Sequence, residues 1–182
     1  MLVAASSLWT SNAIAQAAPV VKPAAEKEKS NIELLSERSG TLLQRTYSDV
    51  GTVKSLQLQT LALTDLVNQK TVSGVVLEAY VAASYGGDTK RAFLDADELD
   101  GLLKAMGYIS EQLLPKPVPT NYTEVSFTSR SGMSAGVYSD SKKGKWNAYV
   151  KLEKYDSRST VFLTAEELIK LRDVLNQAKS KI

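Results

Sequence analysis

Two clusters in this chain bring together side chains that can do chemistry. The first is Lys142-Lys143-Gly144-Lys145-Trp146, with Tyr138 and Tyr149 close by. Lysine ammonium groups meet phosphates as point charges, and flat rings offer stacking platforms worth ~1–3 kcal/mol per base. Lys142, Lys143, Lys145, Trp146 and Tyr149 are therefore the candidate ligand-binding residues. The competing account is a solvated hairpin turn with one aromatic packed on a strand. The second cluster is Asp95, Asp97, Glu98 and Asp100, followed by Gly101. Calcium would need an acid where Leu99 stands and a glycine where Asp100 stands. Acids in a first helical turn also favour the positive end of the helix dipole, so the expected role here is capping.

The chain has no cysteine and no histidine. Disulfides, thiol nucleophiles and thiolate metal sites are thereby excluded, as are Ser-His-Asp triads and HExxH zinc sites. Acid/base work would rest on carboxylates, lysines and tyrosines, and no spacing supports it. We expect no enzymatic activity, no cofactor and no metal site. Twenty-two basic and 20 acidic residues leave a net charge of +2, too small to announce a polyanionic partner. The charge is unevenly spread: 7 basic against 9 acidic residues from Gly40 to Pro119, then 11 against 7 from Thr120 to Ile182. Any polyanion should meet the second half.

The elements that must carry these clusters are announced by a repeat. Phe93-Leu94-Asp95-Ala96-Asp97-Glu98-Leu99 returns 69 positions later as Phe162-Leu163-Thr164-Ala165-Glu166-Glu167-Leu168. Each copy ends a strand and opens a helix with a capping box, in which an Asp or Thr takes an orphan amide and a Glu reaches back. At the same offset Ala79-Tyr80-Val81 matches Ala148-Tyr149-Val150. Period-two alternation, Leu56, Leu58, Thr60 and Ala62 against Gln57, Gln59, Leu61 and Leu63, predicts strands near 41–48, 54–67, 71–84 and 89–94. A helix follows from Ala96 with Leu99, Leu102, Leu103, Met106, Ile109 and Leu113 on one face, stopped by Pro115, Pro117 and Pro119. The second half predicts strands over 122–130, 133–139, 145–155 and 159–163. Its helix carries Leu168, Leu171, Leu175, Ala178 and Ile182.

The expected fold class is α+β, two tandem ββββα repeats (41–114 and 120–182) with antiparallel sheets and two packed helices. This order of elements resembles the Whirly architecture over nearly all of Thr41 to Ile182. The lysine- and glycine-rich Whirly motif is echoed only by Lys142-Lys143-Gly144-Lys145. The resemblance implies single-stranded DNA binding and ring-shaped assembly.

The first 21 residues hold no charge. Ala13, Ala15 and Ala17 supply the small alternate residues that signal peptidase accepts, so 1–17 is expected to be a signal peptide, cut after Ala15 or Ala17. The basic n-region is missing, and the competing account is an Ala/Ser-rich tail. A flexible linker is expected over 18–40, with Ser30 and Glu33 capping a short helix, and one domain over 41–182. The expected location is secreted or periplasmic, with no membrane span in the mature chain. The partner is left open. A homo-oligomer is one candidate, because four-strand units expose edges, and nucleic acid enters only under the Whirly-like alternative. Asn121-Tyr122-Thr123 fits the N-glycosylation pattern, a match common by chance. Tyr85-Gly86-Gly87-Asp88 reads as a turn. Lys151, Glu153 and Lys154 read as a solvated strand face.

Overall fold

The computed structural model of the chain describes residues 28–83 and 86–182. The expected signal peptide, residues 18–27 of the expected linker and Tyr85 lie outside the described residues. A short helix, α1 (Asn31–Ser36), precedes four strands, β1 (Leu43–Val53), β2 (Leu56–Asp65), β3 (Lys70–Ala83) and β4 (Gly86–Asp95). One 3₁₀ turn leads into α2 (Leu99–Tyr108), which ends in a π turn over Ile109–Leu113, just ahead of Pro115. Then come β5 (Glu124–Thr128), β6 (Ser134–Asp140), β7 (Lys145–Lys151), β8 (Thr160–Leu163) and α3 (Ala165–Lys179). Each set of four strands is an antiparallel sheet in chain order, β1-β2-β3-β4 and β5-β6-β7-β8. The fold is α+β, as the alternation predicts, with two ββββα units in tandem.

The inner faces and both helices share one core. Leu56, Leu58, Val75, Leu77, Ala92 and Leu94 of the first sheet meet Ala135, Val137, Ala148, Val150, Val161 and Leu163 of the second. Leu99, Leu102 and Met106 of α2 and Leu168, Leu171 and Leu175 of α3 lie between them. The helices are exchanged. α2 touches β5 and β6 of the second sheet, whereas α3 touches β1 and β2 of the first as well as its own β7 and β8. Val174 of α3 accordingly lies over Gly51 of β1, and Phe127 of β5 lies over Gly101 of α2.

The first hairpin turn of each half also reaches the strand-to-helix junction of the other half. Lys54 donates to the Phe162 carbonyl at 2.6 Å and pairs with the capping Glu167 at 3.9 Å. In the reciprocal place, Ser131 donates to the Phe93 carbonyl at 2.8 Å, and the Arg130 amide donates to the capping Glu98 at 2.7 Å. Phe93 and Phe162 are the equivalent residues of the repeated motif, so two clasps of the same kind join the halves.

Helix α1 extends the packed body into the stretch expected to be a linker. Ser30 and Glu33 form the capping box, as their spacing predicts. Ile32 and Leu35 are buried against Leu61, Leu63 and Val76 on the outer face of the first sheet, with Leu43, Val72 and Phe93 around them. Gly74 makes the seat: a Cβ there would stand 2.7 Å from Ile32 Cδ1 and 2.2 Å from the Leu94 carbonyl.

The 69-residue offset holds at the strand-to-helix junctions but does not extend into the preceding strands. Ala79 of β3 pairs with Lys90, whereas Ala148 of β7 pairs with Leu163, next to the cap. Tyr80 is largely exposed and Tyr149 nearly buried. The matching Ala-Tyr-Val triplets are thus not equivalent positions, because the β7–β8 hairpin is shorter than β3–β4. A structural match lies elsewhere. Asp65 and Asp140 each end the second strand of a half, and each accepts the amide three residues on, Asn68 at 3.0 Å and Lys143 at 3.1 Å. The turns close through left-handed residues, Gln69 (φ 53°) and Gly144 (φ 61°).

Candidate functional site

Side chains alternate across a strand, and this rule divides the basic-aromatic stretch. Lys142 and Lys143 lie exposed in the β6–β7 turn, and Lys145 is exposed at the start of β7. Trp146 turns inward onto the main core, beside Ala148 and Val150, and its buried indole N–H has no acceptor among the described residues. Tyr149, three positions on, faces the opposite way. Lysines and Trp146 therefore do not form one stacking surface. Of the five sequence candidates, Tyr149 alone lines a sizeable cavity.

That cavity, about 410 Å³, lies on the outer face of the second sheet. Its walls are the outward side chains of all four strands: Glu124, Ser126 and Thr128 from β5, Ser134 and Tyr138 from β6, Tyr149 and Lys151 from β7, Thr160 and Phe162 from β8. Tyr122 and Lys154 close its margins. Gly136, between Ser134 and Tyr138, brings β6 close against β5; a Cβ there would lie 2.3 Å from the Val125 carbonyl oxygen.

Three rings surround Tyr138. Its centroid stands 6.4 Å from Tyr122, 6.3 Å from Tyr149 and 6.4 Å from Phe162, with interplanar angles of 31°, 49° and 73°. These separations suit tilted and edge-to-face contacts between ring quadrupoles. Phe162 is 55% and Tyr122 69% exposed, so the cluster presents ring faces to solvent. At one end Glu124 accepts from the Tyr122 hydroxyl at 2.9 Å and from the Tyr149 hydroxyl. The bond to Glu124 raises the Tyr122 pKa, and burial followed by the same carboxylate raises that of Tyr149. Both phenols stay protonated donors at neutral pH. Glu124 is paired across the sheet with Tyr138, and Lys151 with Ser134 and Thr160. The carboxylate and the ammonium are thus four residues apart along the strands, about 13 Å at strand spacing. Neither Lys151 nor Lys154 pairs with a carboxylate among the described residues; Lys154 lies over the Tyr155 ring at 5.4 Å.

The acidic cluster is spoken for. Asp95 is buried, and its carboxylate accepts the amides of Asn31 at 2.6 Å and Ile32 at 3.1 Å, at the start of α1. Arg130 pairs with Asp95 at 3.3 Å, with Glu98 at 3.6 Å and with Asp97, while Asp100 pairs with Lys179 of α3. Asp95 N–H donates to Glu98 at 3.3 Å, so the expected capping pair is present, but the carboxylate mainly serves a different helix. Among the described residues no acidic group is arranged to hold a metal ion. No described helix is long and apolar enough to cross a membrane.

Sequence reasoning missed Tyr122, Glu124 and Phe162 as a set. The available signal was parity: Glu124, Ser126 and Thr128 alternate with Val125 and Phe127, marking one polar outward face. No family model matches the chain, and no curated protein matches it.

Proposed function

We propose that this chain is an exported, non-enzymatic binding module whose ligand seats on the outer face of the second sheet. The observation that carries this reading is the open ring cluster, Tyr122, Tyr149 and Phe162 gathered around Tyr138, with Glu124 at one end. A cluster of rings left in water at the surface costs free energy that binding would recover. A concave site with a few convergent polar groups is also the usual form of a ligand pocket. The uncharged amino-terminal run ending in alternate alanines supports export. Missing histidine and cysteine support binding over catalysis.

The test is a panel of immobilised oligosaccharides, peptides and oligonucleotides probed with the full chain and with Tyr138→Ala. A probe class held by the wild type and released by the variant, at unchanged melting temperature, supports the reading. Binding that is indifferent to Tyr138 removes it. Export is tested by cell fractionation with sequencing of the mature amino terminus.

The alternative, Whirly-like binding of single-stranded nucleic acid, draws support from rings on a sheet surface near Lys142, Lys143 and Lys145. Against it stand the inward Trp146 and the carboxylate of Glu124, which would repel phosphates. Salt-sensitive binding of an oligonucleotide at 50 mM salt is what it requires.

A further inference from the structure

We propose that the ligand of this face is an acidic oligosaccharide, lying across the rings with a carboxylate toward Lys151 and Lys154. The proposal rests on the second-sheet face being a binding site at all, and it is argued from the chemistry of that face.

The two outer sheet faces define what each can accept. The first is aliphatic, with Leu61, Leu63, Val72 and Val76, and the apolar stripe of α1 covers it. The second mixes rings with hydroxyls of Ser126, Thr128, Ser134 and Thr160 and the carboxylate of Glu124. An apolar helix laid there would strip water from those groups and return no hydrogen bonds, at a cost for each. A sugar chain answers both halves of the surface. Its C–H faces are weakly positive and suit the negative faces of Tyr138 and Phe162, while its hydroxyls donate and accept along the Ser and Thr rows.

Charge narrows the class. Glu124 already accepts two phenolic hydroxyls, so its end of the cavity needs only further neutral donors. Lys151 and Lys154 line the other margin, the Lys154 ammonium lying over the neighbouring Tyr155 ring, with no carboxylate paired to either among the described residues. An anion on the ligand is the complement of that end. A phosphodiester chain would carry repeated charge past Glu124 as well, whereas an otherwise neutral sugar chain ending in one uronic acid sets its single carboxylate at the lysine end. Glu124 and Lys151 are offset by about 13 Å along the strands, with β6 lying between them, a span that calls for a chain of rings rather than one.

The experiment is calorimetry of the full chain with a linear tetrasaccharide of three neutral hexoses ending in one hexuronate and with the matching neutral tetra-hexose. The expected result is binding of the uronate at least tenfold tighter than of the neutral chain. Phe162→Ala should weaken the uronate at least tenfold, and Lys151→Gln with Lys154→Gln should erase the preference. All variants should keep the wild-type melting temperature, since the altered side chains lie on the outer face. Equal affinity for the two sugars, or uronate binding that survives Phe162→Ala, overturns the proposal. A peptide or oligonucleotide that binds through Tyr138 while the uronate does not also overturns it, and leaves the binding-module reading standing. Loss of both falls on the broader reading.

Discussion

On the first sheet, Leu61, Leu63, Val76 and Phe93 lie beneath α1; on the second, Tyr138, Tyr149 and Phe162 occupy the same outer side with no helix over them among the described residues. The strand order is the same and the finish is opposite. Aliphatic side chains have one good solution in water, which is to be covered, and Ile32 and Leu35 supply the cover. Rings edged by hydroxyls and a carboxylate can stay in water and keep their hydrogen bonds. The junctions differ in step with the faces. Thr164 caps its own helix α3, whereas Asp95, at the matching position, holds the start of α1 and the guanidinium of Arg130.

Four substitution experiments sharpen this contrast, taken from the largest expected effect downward. Asp95→Ala removes the acceptor of two α1 amides, that of Ile32 buried, and leaves Arg130 short of a buried partner; it should cost about 3–5 kcal/mol in urea unfolding. A cost near that of an ordinary cap would show that the Asp95 contacts to α1 contribute little. Ile32→Ala empties the seat over Gly74 and should cost about 2–4 kcal/mol, while Phe162→Ala on the open face should stay within about 0.5 kcal/mol of wild type. Equal losses at the two positions would erase the distinction between a covered face and an open one. Thr164→Ala loses only a helix cap, at about 1 kcal/mol, well below Asp95→Ala by the same unfolding assay.

The smallest contrast is between the two turns under acid. Asp65 is buried and accepts from Thr41 at 2.5 Å, from the Asn68 side chain at 2.7 Å and from two turn amides. The Thr41 bond first, then those from Asn68, hold its pKa well below the usual carboxylate value. A lowered folded pKa means that the stabilisation is complete above the unfolded pKa of about 4 and drains away as pH falls through the folded one. Wild type should therefore exceed Asp65→Asn in melting temperature at pH 7, with the gap closing below about pH 4. A gap that stays constant into acid would exclude the charged form as its source.

Strands, helices and both capping boxes were legible because each rests on local rules of periodicity and cap chemistry. The division of Trp146 from Tyr149 was legible too, since residues three apart on a strand face opposite ways; nearness in sequence obscures it. Leu61 and Leu63 carried a quieter signal. They are apolar in the phase where Gln57 and Gln59 are polar, so that end of β2 had to be covered on both sides. What covers it could not be read, because the contact between Asp95 and α1 joins residues 64 apart in sequence. Such pairs depend on how the sheet brings distant segments together. The false match of Ala79-Tyr80-Val81 shows the converse: a shared offset says nothing of equivalence once a hairpin between the copies has changed length.

The exchange of helices has a consequence during synthesis. When the first half has left the ribosome, Leu99, Leu102 and Met106 of α2 still lack β5 and β6, against which that helix lies. An apolar stripe therefore stays open until the second sheet has been made. Neither half closes its core without the other: α3 lies over β1 of the first half, as α2 lies against β5 and β6 of the second.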